Sequence, residues 1–380
     1  MTVSISKGDS NKNQKIDIAF AMDCTGSMGA YIKSVRNNVS AIASKLAHGE
    51  KCDVRFAMVA YRDHPPQEKS FISKTFDFTH SASVMENYLS QVSAAGGGDG
   101  PEAVDAALQG CLELPWRKDA AKICVLIADA PPHGLGEAGD GFPNGVPDTE
   151  DPLETVDRMA NNGIVIYSVG CNPALRSYAH AERFMMAIAQ KTGGSAVDLR
   201  DAASLADVIT GAAVEESDLT SLMPRIEAKI EEIRLAYPEA DEEEVSRSLY
   251  RSLAAEGCTT RKLETPVLKA SNAELLTKAS KLSDVREELA KLPRSRSASP
   301  TGMFPDPSFD GEGVEYRSLG ADTDSGACMY RSLGASGGDS CYSKRVCIAP
   351  PAHPKVEISE GEISLSQVAR MVSRSLKAAA

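Results

Sequence analysis

Three observations predict a doubly wound α/β fold with a six-stranded, mostly parallel sheet. Short apolar runs of strand length alternate with stretches of helical apolar spacing across the first half of the chain. Most of these runs are apolar at nearly every position, as in parallel strands buried on both faces. Glycine, proline and acidic residues follow several of the runs, as in loops that end strands. The predicted strands are residues 16–22, 52–61, 71–78, 122–128, 163–169 and 195–198.

The predicted strands differ in one respect. Residues 71–78 alternate roughly by two, which predicts a short antiparallel strand at an edge of the sheet. The stretches between strands show the apolar spacing of helices, and Pro101 falls in the first turn of the third helix, where proline is tolerated. The predicted helices are residues 32–46, 81–92, 101–114, 153–161, 181–190 and 202–214.

The strand–helix alternation stops near Asp218, and amphipathic helices follow. These helices can pack together, dock on the α/β domain or bind another helix. The predicted organisation is a disordered N-terminus (1–14), an α/β domain (15–216), a helical segment (217–292), a disordered tail rich in Ser, Gly and Pro (293–360), and an amphipathic C-terminal helix (361–380).

The tail contains the sequence YRSLG twice, at 316–320 and 330–334. Two copies cannot form a solenoid, and they are either docking or phosphorylation sequences or products of drift in a serine-rich segment. The C-terminal helix has an apolar face flanked by basic residues. We interpret it as a partner-binding helix or a weak membrane-surface helix.

Composition excludes several classes of protein. The 380 residues carry a net charge of −12, which argues against a nucleic-acid partner because a phosphate backbone would be repelled. No apolar run reaches the ~20 residues of a membrane span, and the N-terminus lacks the apolar core of a signal peptide. The nine cysteines form no C-x-x-C pair, which predicts reduced thiols in a cytoplasmic protein.

A candidate cation site follows the first predicted strand. Asp23, Thr25 and Ser27 place one carboxylate and two hydroxyls at alternate positions, just before a turn and a helix. These hard oxygen ligands suit Mg²⁺ or Ca²⁺ and suit zinc poorly. The structural alternative is that Asp23 or Thr25 caps the helix.

Two more loops carry oxygen ligands. Asp129 follows the central strand, and Asp99 and Glu102 lie in a glycine-rich loop before a helix. Open α/β sheets place their ligands at the carboxyl ends of the strands. We therefore expect these three residues to join those of the first loop in one divalent-cation site.

The motifs DCTGSMGAYI, YRDHPP, GGGDGPEA and ADAPPHG together resemble the von Willebrand factor A family over about residues 16–211. They are most similar to intracellular A domains of lower eukaryotes, some of which are joined to α-kinase domains. The resemblance implies a metal-ion-dependent adhesion site formed by Asp23, Thr25, Ser27 and Asp129. Thr25 stands in place of a serine but keeps the hydroxyl.

The middle loop resembles the D-S-P-E loop of integrin β-subunit inserted domains. That resemblance implies Glu102 as a metal ligand and Asp99 as its neighbour. It also places Asp63 where those domains hold a second, calcium ion, but an asparagine of that site is Gly97 here, which argues against a second metal. The acidic pair of a third integrin site is absent.

His64 and His133 lie near prolines in these loops, and we interpret them as hydrogen-bonded loop residues rather than ligands.

Two functions fit these features. The first is a non-enzymatic binding module, a scaffold or adaptor, in which Mg²⁺ (or Ca²⁺ or Mn²⁺) accepts an Asp or Glu carboxylate of a protein partner. The alternative is a metal-dependent hydrolase or phosphotransferase, including an α-kinase-related protein. The site loops show no nucleophile–base pair, phosphate loop or lysine, and this favours the binding module.

Overall fold

A computed structural model describes residues 14–46, 52–293 and 356–379 of the chain. Its central sheet has the spatial order β3-β2-β1-β4-β5-β6, with β3 antiparallel at one edge and the other five strands parallel. The predicted fold class and the antiparallel edge strand are thus confirmed. The strands are β1 (Lys15–Asp23), β2 (Asp53–Tyr61), β3 (Ser73–Thr79), β4 (Ala121–Ala128), β5 (Ile164–Cys171) and β6 (Ala196–Leu199).

Helices cover both faces of the sheet, because alternate residues of each strand are apolar on opposite sides. In β1, Ile18 and Phe20 face a cluster shared with the first, second and sixth helices, whereas Ala19 and Ala21 face the other three. The small alanines leave room for the third helix to pack closely on β1 and β2. The helices are α1 (Gly29–Ser44), α2 (Ala82–Ser90), α3 (Val104–Leu112), α4 (Pro152–Asn161), α5 (Ala181–Thr192) and α6 (Leu205–Ala236).

Helix α6 is much longer than the predicted 202–214 helix. It runs through Pro224 as one helix of 32 residues, so the closing helix and the first helix of the predicted helical segment are continuous. The sequence suggested a break because the strand–helix alternation stops near Asp218, but the helix continues through Glu215, Glu216 and Asp218. These acids are not on a solvent-facing turn; arginines from distant parts of the chain pair with all three.

Residues after α6 form more than helices. Strand β7 (Thr259–Glu264) pairs antiparallel with β8 (Glu357–Glu362), whose first residues fall within the predicted disordered tail. Strand β8 and the residues that follow it thus belong to the same compact unit as the α/β domain. Residues 1–13 and 294–355, with both YRSLG copies, lie outside the described residues. The remaining helices are α7 (Glu242–Ala255), α8 (Ala273–Lys278), α9 (Leu282–Lys291) and α10 (Leu365–Ala379).

The C-terminal helix α10 packs on the body of the protein. Its apolar residues Val368, Met371 and Val372 are fully buried in a cluster shared with α6 and α7. Arg370 lies 3.0 Å from Glu215 and donates to the Tyr167 hydroxyl at 2.9 Å. The apolar face of α10 is already packed against α6 and α7. The interpretation of this face as that of a partner-binding or membrane-surface helix is therefore wrong. Among the described helices, none is both long and apolar enough to cross a membrane.

We expect Arg370→Ala to destabilise the protein by about 3 kcal/mol, because it leaves the buried carboxylate of Glu215 without its cation. Arg247→Ala is the matched control, since Arg247 pairs with Glu243 on the exposed surface of α7 and its loss should cost under about 1 kcal/mol. Urea unfolding of the full chain measures both changes. Equal stabilities for the two variants would show that α10 contributes little to the fold.

Candidate metal centre

Acidic side chains that follow three adjacent strands meet at the carboxyl ends of these strands, and we call this end of the sheet the sheet edge. Asp23 is the last residue of β1, Asp63 follows β2 and Asp129 follows β4. Strands β2, β1 and β4 are parallel neighbours, so their carboxyl ends lie side by side. The glycine-rich loop before α3 lies against this edge, as Ala95 N–H donates to the Cys24 carbonyl at 3.0 Å.

Asp23 and Thr25 are joined by two hydrogen bonds. The Thr25 amide and hydroxyl donate to Asp23 Oδ1 at 2.8 and 2.6 Å. Neither residue caps α1, whose N-cap is Met28, so the capping alternative is not what the structure shows. Asp23 is fully buried, yet its second oxygen has no hydrogen-bond partner. Ser27 is exposed at the rim, and its side chain partly offsets the rise that burial causes in the pKa of Asp129.

Glu102 reaches the same edge by a different local structure from the one predicted. Helix α3 begins at Val104, so Pro101 does not start it and Glu102 is not in its first turn. The Glu102 amide donates to the Pro131 carbonyl at 2.9 Å, and the Ala103 amide donates to the Arg62 carbonyl at 2.9 Å. These long-range backbone bonds replace the first helical turn and tie Glu102 to the loop after β4.

The Glu102 carboxylate lies beside Thr25. A Cβ placed on Gly97 would be 2.9 Å from Glu102 Oε1 and 3.7 Å from Thr25 Cβ. Gly97 also has a φ of 90°, which favours glycine. Glu102 is 5% exposed, and its Oε2 has no hydrogen-bond partner. The glycine at 97 thus leaves the space that the carboxylate of Glu102 occupies.

Burial and crowding raise the pKa values of these acids. Burial, then the charges of Asp129 and Asp63, raises the pKa of Asp23 to about 7. Burial, then the charges of Asp23, Asp63, Asp129 and Asp99, raises the pKa of Glu102 to about 10. Burial also raises the pKa of Asp129. The edge therefore holds more negative charge than its own side chains neutralise, and a bound cation would relieve this.

A second group of side chains lies next to these. Asp63, Asp99 and His133 have ligand atoms that all lie within 4.8 Å of one another. His133 Nε2 is 2.7 Å from Asp63 Oδ1, and His133 Nδ1 is 2.7 Å from Asp140 Oδ1. Although burial lowers the pKa of His133, the hydrogen bonds to Asp140 and Asp63 raise it to about 9. His133 is hydrogen-bonded, as the sequence suggested.

All seven residues singled out in the sequence lie at or just after the carboxyl ends of β1, β2 and β4, or in the loop before α3. Sequence reasoning missed Asp140, which lies in a long polar loop and holds His133 in place. It also missed Asp105, whose carboxylate is 2.9 Å from Nε2 of His64. Nothing in the spacing of either aspartate pointed to a histidine, because both contacts depend on how the loops fold back.

Comparison with known proteins agrees with this architecture. The chain is 32% identical over 136 residues to Alpha-protein kinase vwkA of Dictyostelium discoideum, covering 35% of this chain and 21% of that protein. It is 26% identical over 190 residues to the Putative ariadne-like RING finger protein R811 of Acanthamoeba polyphaga mimivirus, covering 48% of this chain and 18% of that one. The chain thus spans about a fifth of the length of these curated relatives.

Solved structures that match part of the chain include proximal thread matrix protein 1 from the mussel byssus, at 18% identity and a TM-score of 0.31, covering 43% of this chain and 38% of that one. Another is the pilus adhesin SpaC from Lactobacillus rhamnosus GG, at 14% identity and a TM-score of 0.32, covering 42% of this chain and 24% of that one.

The family profile of the von Willebrand factor type A domain, a protein-interaction module, matches residues 17–211, which is half of the chain. The chain therefore belongs to the von Willebrand factor type A domain family.

Proposed function

We propose that this chain is a metal-dependent protein-binding module that holds a divalent cation and presents it to an acidic side chain of a protein partner. The ion would be held by Asp23, Thr25, Ser27, Glu102 and Asp129. One observation carries the proposal: buried carboxylate oxygens of Asp23 and Glu102, from two separate loops, converge without hydrogen-bond partners. Unpaired buried charges are costly, and a cation between them removes the cost.

The ligands favour a hard cation. Carboxylate and hydroxyl oxygens are the donors that Mg²⁺, Ca²⁺ and Mn²⁺ prefer. Hydroxyls of Thr25 and Ser27 would complete the set without adding charge. Burial of Asp23, Glu102 and Asp129 keeps water from competing for most of their oxygens.

The geometry leaves one side for a partner. Gly26 and Ser27 are exposed, whereas the acidic ligands are buried, so the ion would face solvent on the side of this turn. A carboxylate of a partner would bind there. Three acidic ligands against a charge of +2 leave the site about one unit negative, which weakens the attraction for an incoming acid. The affinity would therefore be modest and would depend on additional contacts with the partner.

We also propose a cytoplasmic location. The described cysteines at 24, 111, 124, 171 and 258 are free thiols and all are buried. Free cysteines suit a reducing compartment.

A pull-down with the immobilised full chain tests the function. We expect a specific protein to be retained in Mg²⁺, released by EDTA and retained again when Mg²⁺ is restored. Ser27→Ala should lose this retention, because Ser27 lies at the exposed rim of the site. Ser83→Ala, at another helix start away from the edge, should retain it. Mass spectrometry identifies the protein, and equal capture in EDTA would disprove metal dependence.

A further inference from the structure

We propose that Asp63, Asp99 and His133 form a second cation site beside the first, and that it takes a divalent transition-metal ion such as Zn²⁺. This inference goes beyond the proposed function and does not depend on it, since none of these three residues belongs to the first ligand set. It also departs from the sequence analysis, which argued against a second metal and treated His133 as a loop residue only.

The first support is the geometry of the three side chains. Their ligand atoms lie within 4.8 Å of one another. Ligand atoms about 2.0–2.2 Å from a zinc ion are roughly 3–3.5 Å apart, so small side-chain rotations would suffice to enclose one. Asp63 is fully buried and its Oδ2 has no hydrogen-bond partner; Asp99 Oδ1 has none either. Two unpaired oxygens are thus available beside an imidazole.

The second support is the way His133 is held. Its Nδ1 is bonded to Asp140, whose carboxylate accepts the amides of Gly134 and Phe142 at 2.8 Å each. The Phe142 ring packs edge-on at 5.0 Å from the imidazole. A histidine that ligates a metal through one nitrogen typically gives the other to a carboxylate, which fixes its tautomer and orientation. Asp140 provides that partner, and Nε2 is left on the side of Asp63.

The third support is the charge at the sheet edge. Asp23, Asp63, Asp99, Glu102 and Asp129 together carry five negative charges when ionised. A second divalent ion would replace the proton that His133 holds between Asp63 and Asp140, and so it would add one net positive charge to this edge.

The nitrogen ligand sets the chemical class of the ion. Imidazole suits Zn²⁺ and other transition metals, whereas Mg²⁺ and Ca²⁺ are bound mainly through oxygen. The first site offers oxygen ligands alone. The two sites are therefore expected to bind different metals from a mixture.

Metal counting on the full chain tests the proposal. The protein is dialysed against Zn²⁺ with Mg²⁺ in large excess, and the retained metals are measured by mass spectrometry. We expect about one zinc per chain for the wild type and almost none for His133→Gln. His64→Gln is the matched control, because His64 is the other buried histidine of this edge and pairs with Asp105; it should keep the zinc.

Two further variants separate this proposal from the proposed function. Asp23→Ala should lose Mg²⁺ but keep zinc, so a failure of the first site does not hide the second. Asp140→Asn should weaken zinc binding about 10- to 100-fold while leaving the three ligands in place. The proposal is overturned if the wild type retains no zinc in excess Mg²⁺, or if His133→Gln and Asp140→Asn retain as much as the wild type. His133 would then act as a cationic partner of Asp63 and Asp140.

Discussion

Asp23→Ala is expected to abolish Mg²⁺ and Mn²⁺ binding at the first site, whereas Glu102→Ala weakens it strongly and Asp99→Ala weakens it about tenfold or less. Asp23 is fully buried at the end of β1, and its unpaired oxygen faces the other acids. Glu102 supplies the second unpaired oxygen from the loop held to Pro131. Calorimetric titration of each full-length variant with Mg²⁺ and Mn²⁺ measures the three effects.

The Asp99→Ala variant shows whether Asp99 or Glu102 is the metal ligand from the loop before α3. Asp99 Oδ2 accepts the Gly141 amide at 2.6 Å, so Asp99 is partly committed to the loop after β4, and it lies with Asp63 rather than with Asp23. If Asp99→Ala matched Asp23→Ala while Glu102→Ala bound normally, Asp99 and not Glu102 would be the ligand from this loop. Circular dichroism of each variant shows whether a loss of binding reflects a loss of fold.

The sheet and the position of the site could be predicted from the sequence because both depend on local pattern. β1 and β4 are apolar at almost every position and end in Asp23 and Asp129. In a parallel sheet those two strand ends lie side by side, independently of the conformation of the loops. The antiparallel edge strand β3 was predictable for the same reason, since its alternation reflects one face turned to solvent.

Features that depend on distant contacts could not be predicted in this way. Strand β7 pairs with β8 across about a hundred residues, and neither strand has enough apolar character to stand out. The predicted helix ended at residue 214, and the acids that follow it, Glu215 and Glu216, pair with Arg370 and Arg374, more than 150 residues away. Buried ion pairs of this kind look like exposed charges in the sequence.

At the start of α3, the local sequence favours a helical turn, whereas contacts with distant residues favour a different backbone conformation. Pro101 followed by an acid is typical of a first helical turn. In the structure the Glu102 and Ala103 amides instead donate to Pro131 and Arg62. These bonds hold the loop against the strand ends, and the helix begins three residues later than the local signal indicates.

In EDTA, the free energy of unfolding is expected to fall as the pH rises from about 6 to about 8.5, and Mg²⁺ is expected to oppose this fall. The folded state raises the pKa of Asp23 to about 7, of Glu102 to about 10 and of His133 to about 9. The folded protein therefore binds more protons than the unfolded chain in this range, so stability decreases with pH. Asp23 alone contributes a loss on the order of 1 kcal/mol, and Glu102 adds to it.

Groups with the opposite shift do not cancel this effect. The pKa values of Asp17 and Asp140 are lowered by their partners, so these residues stabilise the folded state at neutral pH. This stabilisation is lost only at acidic pH, near and below the ordinary pKa of an aspartate. It is therefore constant between about pH 6 and 8.5. Urea unfolding at both pH values, with EDTA or Mg²⁺, measures the slope. Asp23→Asn is the matched variant: it removes one titrating carboxylate, so it should reduce the slope in EDTA and the response to Mg²⁺ together. Unchanged stability of the wild type across this range would mean that the acids at the sheet edge are compensated without a metal.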